Sequence, residues 1–197
     1  MSAPASGPVA ALRRLGAMGA LSGLTLGGVM VQAAPMGPLP DAPMPDLAWC
    51  VLAFFVLRRP AAAPLGLVAL LLVMRDALLG GPLGAGALSL LLASEALRWR
   101  AKELPPPRSV WGDWVWASLG YASALGLQWL LMAISLGHPP ALLALGPHLG
   151  ATVLAIPVVA GILRYGMRIG ASPRQDEEGR RLPARRLPPR RLGKGAS

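Results

Sequence analysis

The chain has 197 residues, of which 54% are hydrophobic and 14% charged, with a mean hydropathy of +0.51. That length fits a single domain, and that balance argues against an ordinary soluble fold and for a membrane protein. The formal charge of +10 raises nucleic acid as a partner, but residues 164–197 hold ten of the 19 basic residues against three acidic ones. The apolar body is therefore almost neutral, whereas a nucleic-acid-binding domain needs a basic face interleaved with polar and aromatic groups.

The first apolar run, 15–34, follows Arg13 and Arg14 and is long enough to cross the ~30 Å of a bilayer core. Arg13-Arg14, an apolar stretch and Val31-Gln32-Ala33 also read as a signal peptide with its cleavage site. The span-like length and the glycines favour a retained helix. Gly19, Gly23 and Gly27 recur every four residues and predict a smooth strip for helix packing, a device that Ser118, Ala122 and Gly126 repeat further along. A Pro-rich segment, 33–46, reads as a short extended outer loop.

The second run, Leu47–Leu57, covers only ~16 Å at 1.5 Å per residue and taken alone reads as a buried or re-entrant segment. Charge placement favours a crossing. With six crossings, Arg13, Arg14, Arg58, Arg59, Arg98, Arg100, Lys102, Arg108 and the ten basic residues of 164–197 share one side, 18 of the 19. The positive-inside rule makes that side cytoplasmic, and only Arg75 lies near the other face. The expected architecture is an all-α polytopic membrane protein with six transmembrane helices and both termini cytoplasmic.

The third and fourth runs, 62–79 and 82–97, are joined at MRDALLGGPLGAGAL, residues 74–88. Gly80 and Gly81 supply helix-ending conformations and Pro82 suits the first turn of the next helix, which predicts a tight outer hairpin with Gly84 and Gly86 at a close helix approach. Arg75 is favourable near a helix C-terminus, but Asp76 opposes the dipole there and needs solvent or a partner. Neighbours on a helix point ~100° apart, so the two are not expected to pair. Glu95 and Arg98 have the spacing of a local pair, and Asp113 sits favourably in the first turn of the fifth helix. Trp49, Trp111, Trp114, Trp116 and Tyr165 fall near span ends, where amphipathic rings anchor in the headgroup layer.

The fifth and sixth runs, 114–136 and 141–163, are joined by a tight Gly-His-Pro-Pro turn. Beyond them the chain divides into a six-helix membrane domain, 1–170, and an Arg/Pro-rich tail, 171–197, in which frequent proline forbids a helix. Arg180, Arg181, Arg185, Arg186, Arg190 and Arg191 are expected to contact anionic lipid. No catalytic constellation, metal-ligand set or cofactor motif stands out. The two histidines, His138 and His148, lack further ligands nearby in sequence, so the expectation is a protein that is not an enzyme, with no cofactor and no metal.

Several ordered pieces resemble the bacterial rod shape-determining MreD family: Arg13-Arg14 before the first span, PDLAWCVLAFFVLRRP at 45–60, MRDALLGGPLGAGAL at 74–88 and LRWRAKELPPP at 97–107. The strongest element is an acidic residue followed by apolar positions, a Gly-containing break and Leu-Gly, matched by Asp76, Leu78, Leu79, Gly80 and Leu83-Gly84. The resemblance implies a bacterial inner-membrane scaffold of cell-wall elongation. Its implied partners are MreC and, with it, MreB, RodA and the elongation penicillin-binding transpeptidase. It also implies a fold similar to the substrate-binding S-components of energy-coupling-factor vitamin transporters, and such an S-component is the rival reading. Partner binding is then expected at Arg75, Asp76, Gly80, Gly81, Pro82 and Gly84, on the hairpin. The long Arg-Pro tail and Arg75 beside the acidic position depart from the family pattern.

Overall fold

The computed structural model describes residues 8–34, 43–80, 84–103, 110–136 and 141–166. Six α-helices follow in order: α1 (Pro8–Ala33), α2 (Leu47–Arg58), α3 (Leu65–Leu79), α4 (Ala85–Glu103), α5 (Val110–Leu136) and α6 (Leu142–Gly166), with a 3-10 turn at Pro60–Ala62 between α2 and α3. No strand occurs among the described residues.

The bundle is built around α2. Its sequence is apolar on every side, the pattern of a helix with no solvent-facing stripe, and nine of its 12 residues are buried. It touches α1, α4, α5 and α6, and Trp49, Leu52, Phe55 and Val56 are wholly enclosed. Trp49 is thus a core residue, not the headgroup anchor expected from its place near a span end. Its indole N–H donates to the Ala117 carbonyl at 3.1 Å, and its ring lies 6.0 Å from that of Tyr121. Trp111 and Tyr165 are exposed, as interfacial rings would be.

Among the described residues, three helical segments are long and apolar enough to cross a membrane: Ala11–Ala33, Val110–Ser135 and Leu145–Tyr165. Three of the six expected crossings therefore have the dimensions of a span on their own. At 1.5 Å per residue α2 is ~18 Å tall and α3 ~22 Å. The C-terminal turns of α4 carry Glu95, Arg98, Arg100, Lys102 and Glu103.

The glycines that pack are not those the four-residue spacing selected. A Cβ on Gly19, Gly23, Gly27 or Gly126 would meet no atom within 4 Å, so these face outward. Gly28 lies against Leu47, with 3.0 Å between the positions of the two Cβ atoms, and Gly120 against Trp49 at 3.1 Å. Periodicity found the small residues of α1 but chose the wrong face, because Leu21, Thr25, Gly28 and Val29 form the buried one. Ala122 is half-buried, and Ser118 keeps a buried hydroxyl without a partner.

Basic residues gather at one end of the bundle. Arg14 donates to the Ala61 carbonyl and Arg98 to that of Pro60, while Arg58 forms an ion pair with Asp113 and Arg100 lies 4.5 Å over the Trp116 ring. The expected Glu95–Arg98 pair is present at 2.8 Å.

Candidate functional site

At the opposite end of α2 three ionisable side chains meet inside the protein. Asp46 caps α2, its Oδ1 accepting from the Trp49 backbone N–H at 2.9 Å. An acidic N-cap satisfies one of the open N–H groups of a helix start and sits at the positive end of its dipole. Its Oδ2 accepts from Arg75 Nη2 at 2.5 Å. Arg75 Nη1 donates to Asp76 Oδ1 at 3.1 Å, and Asp76 Oδ2 accepts from the Ala87 backbone N–H at 2.6 Å. Asp46 and Asp76 are only 3% and 4% exposed.

This geometry corrects one expectation, since Arg75 does pair with Asp76, and of the solvent or partner that Asp76 needed it supplies partners. The long guanidinium reaches both carboxylates, so the ~100° between neighbouring positions on α3 does not keep them apart. Asp76 gains nothing from its own helix, but it serves the next one. α4 begins after Gly84, which has no side chain with which to cap it, and the carboxylate of Asp76 takes that role from the neighbouring helix. Two carboxylates against one guanidinium would leave a net negative charge, but each also meets a helix N-terminus worth about half a positive charge. These two N-termini offset most of the excess negative charge, against the opposing C-terminal end of α3.

The glycines of the hairpin divide between conformation and space. Gly80 ends α3 in the left-handed region at φ 67° and Gly84 enters α4 at φ 94°. A Cβ on either would meet no atom within 4 Å, so Gly84 is not the point of close helix approach it was expected to be. Gly86 is: a Cβ there would fall 2.7 Å from Asp76 Oδ1. Gly81 and Pro82 lie outside the described residues, as do Arg180, Arg181, Arg185, Arg186, Arg190, Arg191 and His138.

A polar rim extends the cluster to α6. The Asp46 backbone N–H donates to Thr152 Oγ1 at 2.9 Å, and Thr152 Oγ1 donates to the His148 carbonyl at 2.8 Å. Tyr121 on α5 is buried beside Trp49, with 6.0 Å between the ring centroids. His148 Nδ1 lies 3.2 Å from the Met44 carbonyl, and Gln32 Nε2 donates to that of Pro45 at 2.7 Å. Segment 43–46 is thus pinned to α1, α3 and α6. Asp46, assigned by sequence to an outer loop, is the residue that sequence reasoning missed. Its signal was an acidic residue three positions before Trp49 at the start of an apolar run, the spacing of an N-cap.

Depth sets this cluster apart from a surface feature. Thr152 lies ten residues into α6 and Tyr121 fifteen residues before the end of α5, so both helices continue ~15 to 22 Å beyond it. Toward the arginine-rich end, Arg58 and Arg164 are each twelve residues from Asp46 and Thr152, ~18 Å. Asp46, Arg75 and Asp76 therefore lie near the middle of α5 and α6 and level with the end of α1, whose Gln32 reaches Pro45. Ionisable groups at such depth are rare, and they pair with one another or mark a functional position.

The four carboxylate oxygens are all engaged. The Arg75 Nε–H is the one polar group of the trio without an acceptor. Among the described residues no three His, Cys, Asp or Glu side chains gather as metal ligands. No protein-family profile, curated protein or solved structure matches this chain.

Proposed function

We propose that the chain is a non-enzymatic scaffold of bacterial cell-wall elongation in the inner membrane, crossing six times with both termini cytoplasmic. On this reading it binds MreC and, within the same complex, MreB, RodA and the elongation transpeptidase. The observation that carries the reading is the α3–α4 corner. The residues on which the family resemblance rests most heavily, Asp76, Gly80 and Gly84, are the ones that cap α4 and turn the chain there. Beside this fixed corner Val73, Met74 and Leu78 of α3 and Leu88 and Leu92 of α4 are exposed. A rigid, apolar, membrane-facing surface of this kind suits a partner's transmembrane helix.

The clustering of Arg14, Arg58, Arg98 and Arg100 at one end supports the proposed orientation. Reporter fusions at the two termini should both be active only on the cytoplasmic side; a terminus reporting from outside would refute the six-crossing arrangement. Depleting the protein in a rod-shaped host that has no paralogue should round the cells, and persistent rods would refute the function. Leu78→Trp combined with Leu88→Trp should abolish co-purification with MreC while the protein still inserts. Retained MreC would refute the placement of the partner.

The rival reading, a vitamin-binding S-component, finds support in the gathering of Asp46, Arg75, Asp76, Tyr121 and Thr152 at mid-depth. A ligand there has to displace existing partners from the carboxylates, since each oxygen is already hydrogen-bonded. Tight binding of a vitamin to the purified protein would reverse the ranking.

A further inference from the structure

Toward the arginine-rich end, α2, α5 and α6 enclose a crevice of about 180 Å³. Its wall on α2 is Cys50, Phe54 and Leu57, and on α6 Ile156, Ala160 and Gly161. The α2 residues recur at four and three positions, one face of a helix. The crevice has a direction. Near Cys50, Ala117 and Ile156 it is apolar, and at its other end it carries Arg58, Asp113 and Arg164. The eight residues from Cys50 to Arg58 span ~12 Å, so the space is elongated along the helix axes.

Charge at the mouth is lopsided. Arg58 and Asp113 are paired with each other at 2.5 Å. Arg164, exposed in the last turn of α6, adds a second cation at the same mouth. The exposed Tyr165 beside it is an amphipathic ring of the kind found at headgroup level. Water is a poor occupant for the apolar end, because a buried water needs two to four polar partners. An apolar slot ~12 Å long with a net cation at its mouth has the polarity of one lipid molecule: chain inside, acidic head outside.

We propose that this crevice binds an acyl chain of an anionic glycerophospholipid, with the lipid phosphate on Arg164. Ala160 and Gly161 make the room for it. A Cβ on Gly161 would meet no atom within 4 Å, so a larger side chain there enters open space. The site operates whichever side of the membrane this end occupies. It requires only that α5 and α6 lie in the bilayer.

The test is native mass spectrometry of the full-length protein, purified in detergent and offered phosphatidylglycerol or phosphatidylcholine of the same chain length. The wild type should retain one phosphatidylglycerol, preferred roughly five-fold for one engaged arginine. Gly161→Phe should lose that lipid with its helicity and melting temperature unchanged. Should that variant misfold, Ala160→Leu fills the space from the preceding residue and is read in the same way. Arg164→Gln should keep a lipid but lose the headgroup preference. Equal retention of both lipids by the wild type and the filled variant would overturn the proposal, leaving annular lipid only. So would a crevice occupied by detergent that phosphatidylglycerol does not displace.

Discussion

Asp76 stands in the last turn of α3, where the helix dipole disfavours it, and its carboxylate is held by the first turn of α4 and by Arg75. That arrangement makes both buried carboxylates depend on Arg75. Replacing it with Met leaves two buried carboxylates without their cation and should cost about 3–5 kcal/mol, read as a lowered unfolding midpoint in detergent. Adding Asp46→Asn and Asp76→Asn to that variant should recover part of the loss, because the uncompensated charges are then gone. A triple variant less stable than Arg75→Met alone would contradict this account. Gly86→Ala should also destabilise, since the new methyl occupies the place of Asp76 Oδ1. In an Asp76→Ala background the same change should be nearly neutral, a non-additivity of the size expected for residues in contact. At this scale the sequence was informative about need and silent about supply. The dipole argument showed that Asp76 required solvent or a partner. One partner is a backbone N–H eleven residues ahead, and the cation it shares also serves an aspartate 29 residues upstream of Arg75, separations that carry no periodic signal.

In α6 the element itself contains a defect that another helix repairs. Pro157 has no N–H, so the Val153 carbonyl one turn earlier loses its intrahelical donor. The Trp114 indole N–H of α5 donates to that carbonyl at 2.9 Å. Trp114→Phe should therefore cost about 1 kcal/mol, the order of one lost hydrogen bond to a half-buried acceptor. Pro157→Ala restores the backbone donor and should make Trp114→Phe milder; equal costs in the two backgrounds would show that the indole bond carries no such role. Trp114 was expected only as a headgroup anchor, because neither a proline inside an apolar run nor a tryptophan near a span end reveals its partner. The helices themselves were more legible than their contacts. All six apolar runs became helices, and Leu47–Leu57, whose shortness taken alone read as a buried or re-entrant segment, is buried. The first helix packs into the bundle, with Leu21 and Val29 enclosed. The spacing of its glycines did not tell which stripe would pack, since Gly27 and Gly28 are adjacent yet only Gly28 meets a neighbouring helix.

Over the whole molecule the helices differ in height, with α4 (~28 Å) between a tall set and a short one. α1, α5 and α6 run ~37 to 40 Å, whereas α2 and α3 stop at ~18 and ~22 Å, level with the buried charges. Hydropathy alone revealed that every run was apolar but not that the short ones end at a shared level, because that level is set by Asp46 and Asp76 meeting Arg75. α2 is sheltered by its neighbours, but α3 is not: Leu65, Leu70, Val73, Met74 and Leu78 are exposed. In the proposed six-crossing arrangement this flank is ~8 Å shorter than a ~30 Å hydrocarbon layer. Lipids beside it must compress, at a cost of fractions of a kcal/mol per Å of mismatch. A neighbouring protein helix that displaces those lipids relieves the deformation, so part of its affinity comes from the elasticity of the bilayer and not from side-chain contacts. Association along α3 should consequently strengthen as the acyl chains of reconstituted vesicles lengthen, measured by energy transfer between labelled partners. The same charged pins that hold the interior together would thereby make this protein a gauge of membrane thickness.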